Sequence, residues 1–70
     1  MSNETKSTLD DAIVGERLRN ARESARITQA ESAKSIGVAR TTIVAVEKGE
    51  RRVRTNELQK LASLYGGSES

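Results

Sequence analysis

Gly37 separates two short segments that each have the pattern of a helix, and this break limits the possible fold more than any other feature of the sequence. The first segment opens with Thr28 and Glu31, which have the spacing of a capping box, in which side-chain oxygens satisfy free backbone N–H groups at a helix start. A glycine ends such a helix in the left-handed conformation without steric cost. The sequence therefore predicts a helix of about eight residues that needs tertiary packing to be stable.

Apolar residues at three- and four-residue spacing predict three further helices. The first covers roughly residues 9–24, the third runs from near Ala39 to Lys48, and the fourth covers roughly residues 55–65. Their inward-facing side chains should form one core. The expected core positions are Val14, Leu18, Ala21, Ala25, Ile27, Ala30, Ala33, Ile36, Val38, Ile43, Val46, Leu58, Leu61, Ala62 and Tyr65.

The composition fits a small all-α domain. The 70 residues are enough for one domain near the lower size limit for independent folding. The chain has one tyrosine as its only aromatic residue and neither cysteine nor histidine, so aliphatic side chains must form the core without disulfides or the usual zinc ligands. We predict a compact bundle of four short helices, to which the start of a fifth could be added. The domain should cover residues 9–66, between a flexible arm at 1–8 and a flexible tail at 67–70.

Charge is unevenly distributed along the chain. Residues 17–54 contain ten basic and four acidic side chains, a net charge of +6, whereas residues 1–16 sum to −3 and residues 55–70 to −1. A basic middle suits a nucleic-acid surface, but a solvated helix face explains it equally well. RNA is disfavoured because the usual stacking platforms need aromatic side chains.

Other classes of protein are also disfavoured. The sequence has no apolar run long enough to cross a bilayer and no signal peptide, so we expect a cytoplasmic chain without a membrane partner. Without histidine or cysteine, catalysis would rest on carboxylates, and no close pair of them lies in an apolar setting. We therefore expect no enzyme, no catalytic residues, no metal and no cofactor.

A short helix, a glycine-containing turn and a second helix are typical of the helix-turn-helix unit, whose second helix enters the major groove of DNA. Small side chains at Ala30 and Ala33 would let the two helices cross closely. Ile36, Val38 and Ile43 would fill the elbow between them. An αα-hairpin in an ordinary helix bundle has the same spacing, so spacing alone leaves both interpretations open.

The segment TQAESAKSIGVARTTIVAVEKGERR, residues 28–52, resembles the helix-turn-helix of the phage repressor and Cro-type family, also called the xenobiotic-response-element regulators. The resemblance extends from about Val14 to Gly66 and also includes LQKLASLYG in the fourth helix. It implies a lambda-repressor-like fold and a transcriptional regulator, a repressor, that binds double-stranded DNA sequence-specifically. The implied recognition helix covers about residues 39–48 and lies in the major groove.

The resemblance also implies roles for individual residues. Arg40 is placed to read a base edge, where a guanidinium can bind O6 and N7 of guanine together. Arg22 and Glu47 match an ion pair that joins helix one to helix three. The implied base-reading residues are Ala39, Arg40, Thr41, Val44 and Ala45. The implied phosphate contacts are Gln29, Thr42, Lys48, Arg51 and Arg52.

The chain departs from the family pattern at three places. Ser32 replaces the usual leucine, which should reduce the core, and Ala39 replaces a common Ser or Thr N-cap, worth about 1 kcal/mol. The sequence ends in GGSES, where the family's fifth helix would begin and often builds the dimer interface. A homodimer would then use the end of helix four, at Leu64 and Tyr65, or a missing C-terminal segment.

A second kind of function uses the same helical bundle. A protein-interaction module, such as an adaptor or antitoxin, could bind its partner through Leu64 and the residues around it. Salt-sensitive DNA binding would separate a DNA-binding protein from a pure adaptor. As a DNA-binding regulator, the chain would act in the cytoplasm of a bacterial or phage-type system and associate with the nucleoid when bound.

Overall fold

The computed structural model describes the backbone of residues 3–66 and the side chains of residues 11–66. Within these residues it contains four α-helices and no strand: α1 (Asn3–Ser24), α2 (Gln29–Ile36), α3 (Arg40–Glu47) and α4 (Thr55–Gly66). The predicted all-α class and the four-helix bundle are confirmed. No helix in this part of the chain is long and apolar enough to cross a membrane. The predicted tail at 67–70 and the start of a fifth helix lie outside the described residues.

Helix α1 begins earlier than the sequence indicated. We predicted a start near residue 9 after a flexible arm at 1–8, whereas the backbone is helical from Asn3. Residues 3–8 contain neither proline nor glycine, so nothing in them interrupts the helix, and their residue types accept helical backbone at small cost. The first two residues of the predicted arm lie outside the described residues.

Helix α2 is closed at both ends, as predicted. The Glu31 N–H donates to Thr28 Oγ1 at 3.0 Å, and the Thr28 N–H donates to Glu31 Oε1 at 2.9 Å, which completes the capping box. Gly37 ends the helix with a φ of 76°, in the left-handed region. Helix α3 starts differently, since Ala39 gives its N-terminus no side-chain cap.

The core is small and is built around α3. Helix α3 packs against both α1 and α2, and α4 packs against α1 and α2 from the other side. Because its inner face meets two helices, α3 is held in place while its outer face is left to solvent. The buried apolar residues are Leu18, Ala33, Ile43, Val46 and Leu61, and the partly buried ones packed on them are Val14, Ile36, Val38, Val53 and Tyr65.

Four predicted core positions are exposed, so those predictions were wrong. They are Ala21, Ala30, Leu58 and Ala62. Ala62 directly follows the buried Leu61, and Ala21 directly precedes the buried Arg22; one helical residue turns a side chain by about 100°, away from the core. The other two lie in the first turn of their helices, where neighbouring helices do not cover them, and Leu58 is 38% exposed.

Ser32, expected to reduce the core, is fully buried and joins α2 to α4. Its Oγ lies 2.7 Å from the hydroxyl oxygen of the half-buried Tyr65, so the buried serine hydroxyl has a partner. Burial raises the pKa of Tyr65, and the hydrogen bond to Ser32 opposes this more weakly. A raised pKa favours the neutral hydroxyl in the folded state. The stabilisation of the folded state by the neutral Tyr65 hydroxyl is therefore fully present below the unfolded pKa of about 10. It is lost as pH rises through the folded pKa.

Helix α1 crosses the end of α3 at Gly15. A Cβ atom at this position would overlap the carbonyl oxygen of Val46 and would lie 2.9 Å from that of Glu47. The atoms in the way belong to backbone, which a rotamer change cannot move. The close approach of the two helices therefore requires a residue without a side chain.

Gly15→Ala should lower the free energy of unfolding by about 3 kcal/mol, because the added methyl group forces α1 and α3 apart. Gly66→Ala is the matched control, since a Cβ there would meet nothing within 4 Å. Alanine is also the better helix former by up to about 1 kcal/mol. Urea denaturation of both variants measures the difference. Equal stability of Gly15→Ala and the unsubstituted chain would contradict this packing.

Candidate nucleic-acid interface

Helix α3 presents its N-terminal half to solvent. The buried Ile43 and Val46 fix its inner side, and Arg40 and Thr41 are exposed on the remaining surface. Val44 is half-buried and follows Thr41 by three residues, so the two share one face. The exposed surface thus combines a guanidinium, a hydroxyl and a small apolar side chain.

The predicted base-reading residues lie together on and beside this surface. Ala39, Arg40 and Thr41 are consecutive and exposed at the start of α3. Val44 and Ala45 are half-buried one turn later, where their methyl groups are less accessible. The structure therefore brings these five residues together, with Arg40 and Thr41 the most accessible polar groups.

The predicted phosphate contacts fall into two groups. Lys48 and Arg52 are exposed at the end of α3 and in the loop that follows it. Gln29, Thr42 and Arg51 are half-buried, and two of them already have partners within the chain. The cations of the first group are the more exposed ones.

The side chains of Arg22 and Glu47 join α1 to α3. Arg22 Nε lies 2.7 Å from Glu47 Oε2, and Arg22 Nη2 lies 3.2 Å from Oε1. A third guanidinium nitrogen, Nη1, donates to the carbonyl oxygen of Ile27 at 2.8 Å. Gln29 Nε2 donates to Glu47 Oε1 at 3.0 Å. We refer to these four residues as the Glu47 network.

The Glu47 network is largely removed from water. The side chains of Arg22 and Glu47 are 10% and 4% exposed. The hydrogen bond to Glu47 raises the pKa of Arg22. A buried carboxylate that accepts charge-assisted hydrogen bonds from two other elements fixes the orientation of its helix strongly.

Gln29 belongs to this network through a hydrogen bond to Glu47 that the spacing of residues in the sequence did not indicate. Its Nε2 atom carries two hydrogens, and Glu47 accepts only one of them. The second N–H is therefore still able to donate to another acceptor beside Glu47, the last residue of α3. A fixed amide of this kind can donate a hydrogen bond to an anionic acceptor next to α3.

The arginines of the loop after α3 differ in the ion pairs that they form. Arg51 binds Glu57 through two nitrogens, at 3.1 Å and 3.4 Å. This hydrogen bond is the main cause of the lowered pKa of Glu57. Arg52 Nε lies 3.5 Å from Asp11 Oδ1. Arg54 is exposed, and the sequence analysis gave it no role. Its place in the run RRVR, residues 51–54, is the signal that could have marked it as a further basic residue of this surface.

Acidic groups in the described part of the chain do not gather into a cluster of three or more that could hold a metal ion. Basic groups dominate around α3 instead. Arg40, Lys48 and Arg54 have no acidic partner within 4 Å among the described residues. The chemistry available on this surface is therefore hydrogen-bond donation and positive charge.

A family model described as a helix-turn-helix domain matches residues 13–70. The matched span includes the whole of α2, α3 and α4, the Glu47 network and the exposed surface of α3. Comparisons with curated proteins and with solved structures find no match.

Arg22→Ala should lower the free energy of unfolding by about 3–5 kcal/mol, because it leaves the buried Glu47 carboxylate without its main partner. Arg19→Ala is the matched control in the same helix. It breaks a pair with Glu23 in which both side chains are more than half exposed, at 56% and 55%, so its effect should stay within about 0.5 kcal/mol. Chemical denaturation measures both. Similar losses in the two variants would show that the network does not stabilise the domain.

Proposed function

Because the chain belongs to the helix-turn-helix domain family, a family of Cro/C1-type DNA-binding domains, we propose that it binds double-stranded DNA sequence-specifically and regulates transcription as a repressor. Helix α3 would enter the major groove as the recognition helix. The observation that carries the proposal is the exposed start of α3, with Arg40 and Thr41 outward, on a helix fixed from behind by the Glu47 network. A domain bound in this way would act by occupying DNA that the transcription machinery needs.

In this proposal the residues of α3 divide the reading of bases between them. Arg40 would donate two hydrogen bonds to O6 and N7 of one guanine. Thr41 would donate to a base or place its methyl group on a thymine methyl. Val44 and Ala45 would contribute apolar contact to thymine, and Ala39 would lie against the base edge next to them.

The phosphate backbone would be bound from both ends of the helix-turn-helix unit. Lys48 and Arg52 would bind phosphates by charge at the end of α3. Gln29 would donate its second amide N–H from the start of α2. Thr42 would donate its hydroxyl from the first turn of α3. Arg51 would contribute less than its charge suggests, because Glu57 already holds it.

Helix-turn-helix DNA-binding domains are typically not enzymes, and we propose binding without catalysis for this chain. Its place of action would be the nucleoid in the cytoplasm of a bacterial or phage-type system. Salt-dependent DNA binding is also the property that separates this proposal from the alternative of a pure protein-interaction module.

Arg40→Ala and Arg52→Ala should weaken DNA binding in different ways. Loss of Arg40 should cost about 1–3 kcal/mol on the preferred site and remove the preference at one base pair. Loss of Arg52 should weaken binding to all sequences alike and reduce the slope of log K against log salt by about one unit, from roughly −4 to −5 for four to six contacts. The preferred site comes from selection out of a random duplex pool, and titrations at several salt concentrations give the slopes.

Two results would contradict this assignment. An unchanged ranking of sites in Arg40→Ala would show that Arg40 does not read a base. Binding that does not vary between low and moderate salt would remove the electrostatic part of the proposal for the whole surface.

We also propose that the end of α4 contacts a second subunit through Leu64. This half-buried side chain lines two neighbouring shallow grooves between α2 and α4, one with Ile36 and the other with Ile27. Tyr65 lies next to it but is tied to Ser32 inside the domain. Both side chains are half-buried, but Leu64 lines the grooves and is therefore the better candidate for the contact.

Charge around the grooves gives such a dimer a distinctive salt dependence. Three bases and one acid line them (Arg26, Lys34, Lys60 and Glu31), so two copies would bring two net positive surfaces together. Added salt screens this repulsion and should strengthen self-association, whereas it weakens DNA binding. The two activities can therefore be measured separately on one protein.

Leu64→Glu should abolish self-association in sedimentation equilibrium, because it places a charge in the apolar contact. Leu58→Glu is the matched control on the same helix, since that leucine is already 38% exposed and lies outside both grooves. Circular dichroism should show unchanged helix content in both variants. If Leu64→Glu sediments like the unsubstituted chain at every salt concentration, any dimer is built elsewhere.

A further inference from the structure

Two arginines that follow α3 are each bound to a carboxylate of the same chain. Arg51 contacts Glu57, and Arg52 contacts Asp11. Both arginines were expected to bind DNA phosphates, and a carboxylate offers a guanidinium the same kind of acceptor as a phosphate does. A phosphate that binds to either arginine must therefore compete with a carboxylate of the chain for the guanidinium, or share the guanidinium with it.

The pair of Arg51 and Glu57 is part of the fold. Two nitrogens of the guanidinium contact both carboxylate oxygens, and the Glu57 side chain is only 12% exposed. Glu57 Oε1 also accepts the backbone N–H of Arg54 at 3.0 Å, at the start of α4. If Arg51 turned away to bind a phosphate, the shielded Glu57 carboxylate would lose its partner. Exchanging Glu57 for a phosphate is therefore unfavourable for Arg51.

The pair of Arg52 and Asp11 is built differently. Its closest approach is from Nε to Oδ1 at 3.5 Å, and the side chains of Arg52 and Asp11 are 66% and 22% exposed. Because the guanidinium is largely exposed and its 3.5 Å separation from the carboxylate is long, a phosphate can replace the carboxylate at small cost.

Packing nevertheless keeps Asp11 close to Arg52. Gly49, at the start of the same loop, lies so near Ala12 that a Cβ on the glycine would be 2.7 Å from the Ala12 Cα. The start of the loop is thereby held against the residue that follows Asp11 in α1. The negative charge of Asp11 stays beside the proposed phosphate site when Arg52 turns towards DNA.

We propose that Asp11 is an intramolecular competitor of DNA phosphate for Arg52. This inference rests on the proposed DNA-binding function and adds a residue that limits affinity. In the free chain the Asp11 carboxylate occupies the guanidinium, and in the complex it is displaced while remaining within electrostatic range of the phosphate. Asp11 contacts the arginine and not a base, so it lowers affinity for all DNA sequences alike and leaves their ranking unchanged.

The test is a double-mutant cycle of DNA binding with Asp11→Asn, Arg52→Ala and both together. Fluorescence anisotropy gives the affinity of each protein for one duplex from the selection and for one scrambled duplex, at low salt. Asp11→Asn should tighten binding to both duplexes about 3- to 5-fold, the upper range for an exposed ion pair. In the Arg52→Ala background the same substitution should tighten binding less than about 2-fold.

Glu50→Gln is the matched control for net charge. Glu50 is an exposed acid of the same loop without an ion-pair partner within 4 Å among the described residues. Its neutralisation should change affinity by the same factor with and without Arg52. Circular dichroism of all variants should show the same helix content.

The outcomes separate this inference from the function on which it rests. Equal gains from Asp11→Asn in both backgrounds would show that the aspartate acts only through net charge, and weaker binding would show that it positions Arg52; either result overturns the inference alone. If no variant binds either duplex at low salt, the proposed function fails together with it. Tighter binding that depends on Arg52 supports both.

Discussion

Three elements of the domain are joined through the carboxylate of Glu47. It is 4% exposed and accepts hydrogen bonds from Arg22 in α1 and from Gln29 in α2, while it belongs itself to α3. Helices α2 and α3 have eight residues each, too few to be stable in isolation, so tertiary contacts decide their orientation. A buried anion tolerates few arrangements of its donors. The direction in which the outer face of α3 points therefore depends on this carboxylate together with the buried Ile43 and Val46.

Local signals in the sequence were enough to predict the number and order of the helices. The capping box of Thr28 with Glu31 and the left-handed Gly37 depend on residues within one turn, so their geometry follows from residue type alone. The predicted start of α1 was wrong because the first residues of this helix carry no strong local signal for or against a helix. Leu58 and Ala62 were assigned to the core by spacing, which does not reveal how far the neighbouring helices reach.

Contacts between distant residues could not be derived from spacing. Gly15 reads as an ordinary helical glycine until α3 crosses it, and Ser32 looks like a lost core residue until the Tyr65 hydroxyl meets it. The pairing of Arg52 with Asp11 is likewise visible only once the loop lies against α1. The roles of Arg40 and the other α3 residues in DNA binding stay predictions, because a free domain shows which groups are accessible and not what they bind.

Mapping the DNA contact on the chain in solution tests most directly whether α3 is the recognition helix. Amide chemical shifts of the 15N-labelled protein would be followed during titration with a duplex obtained by selection. The largest changes should fall on Gln29, on residues 39–45 and on the loop at 48–52, with small changes at Leu61 and Leu64 in α4. Changes centred on the grooves around Leu64, or no changes at low salt, would contradict the assignment of α3 as the recognition helix.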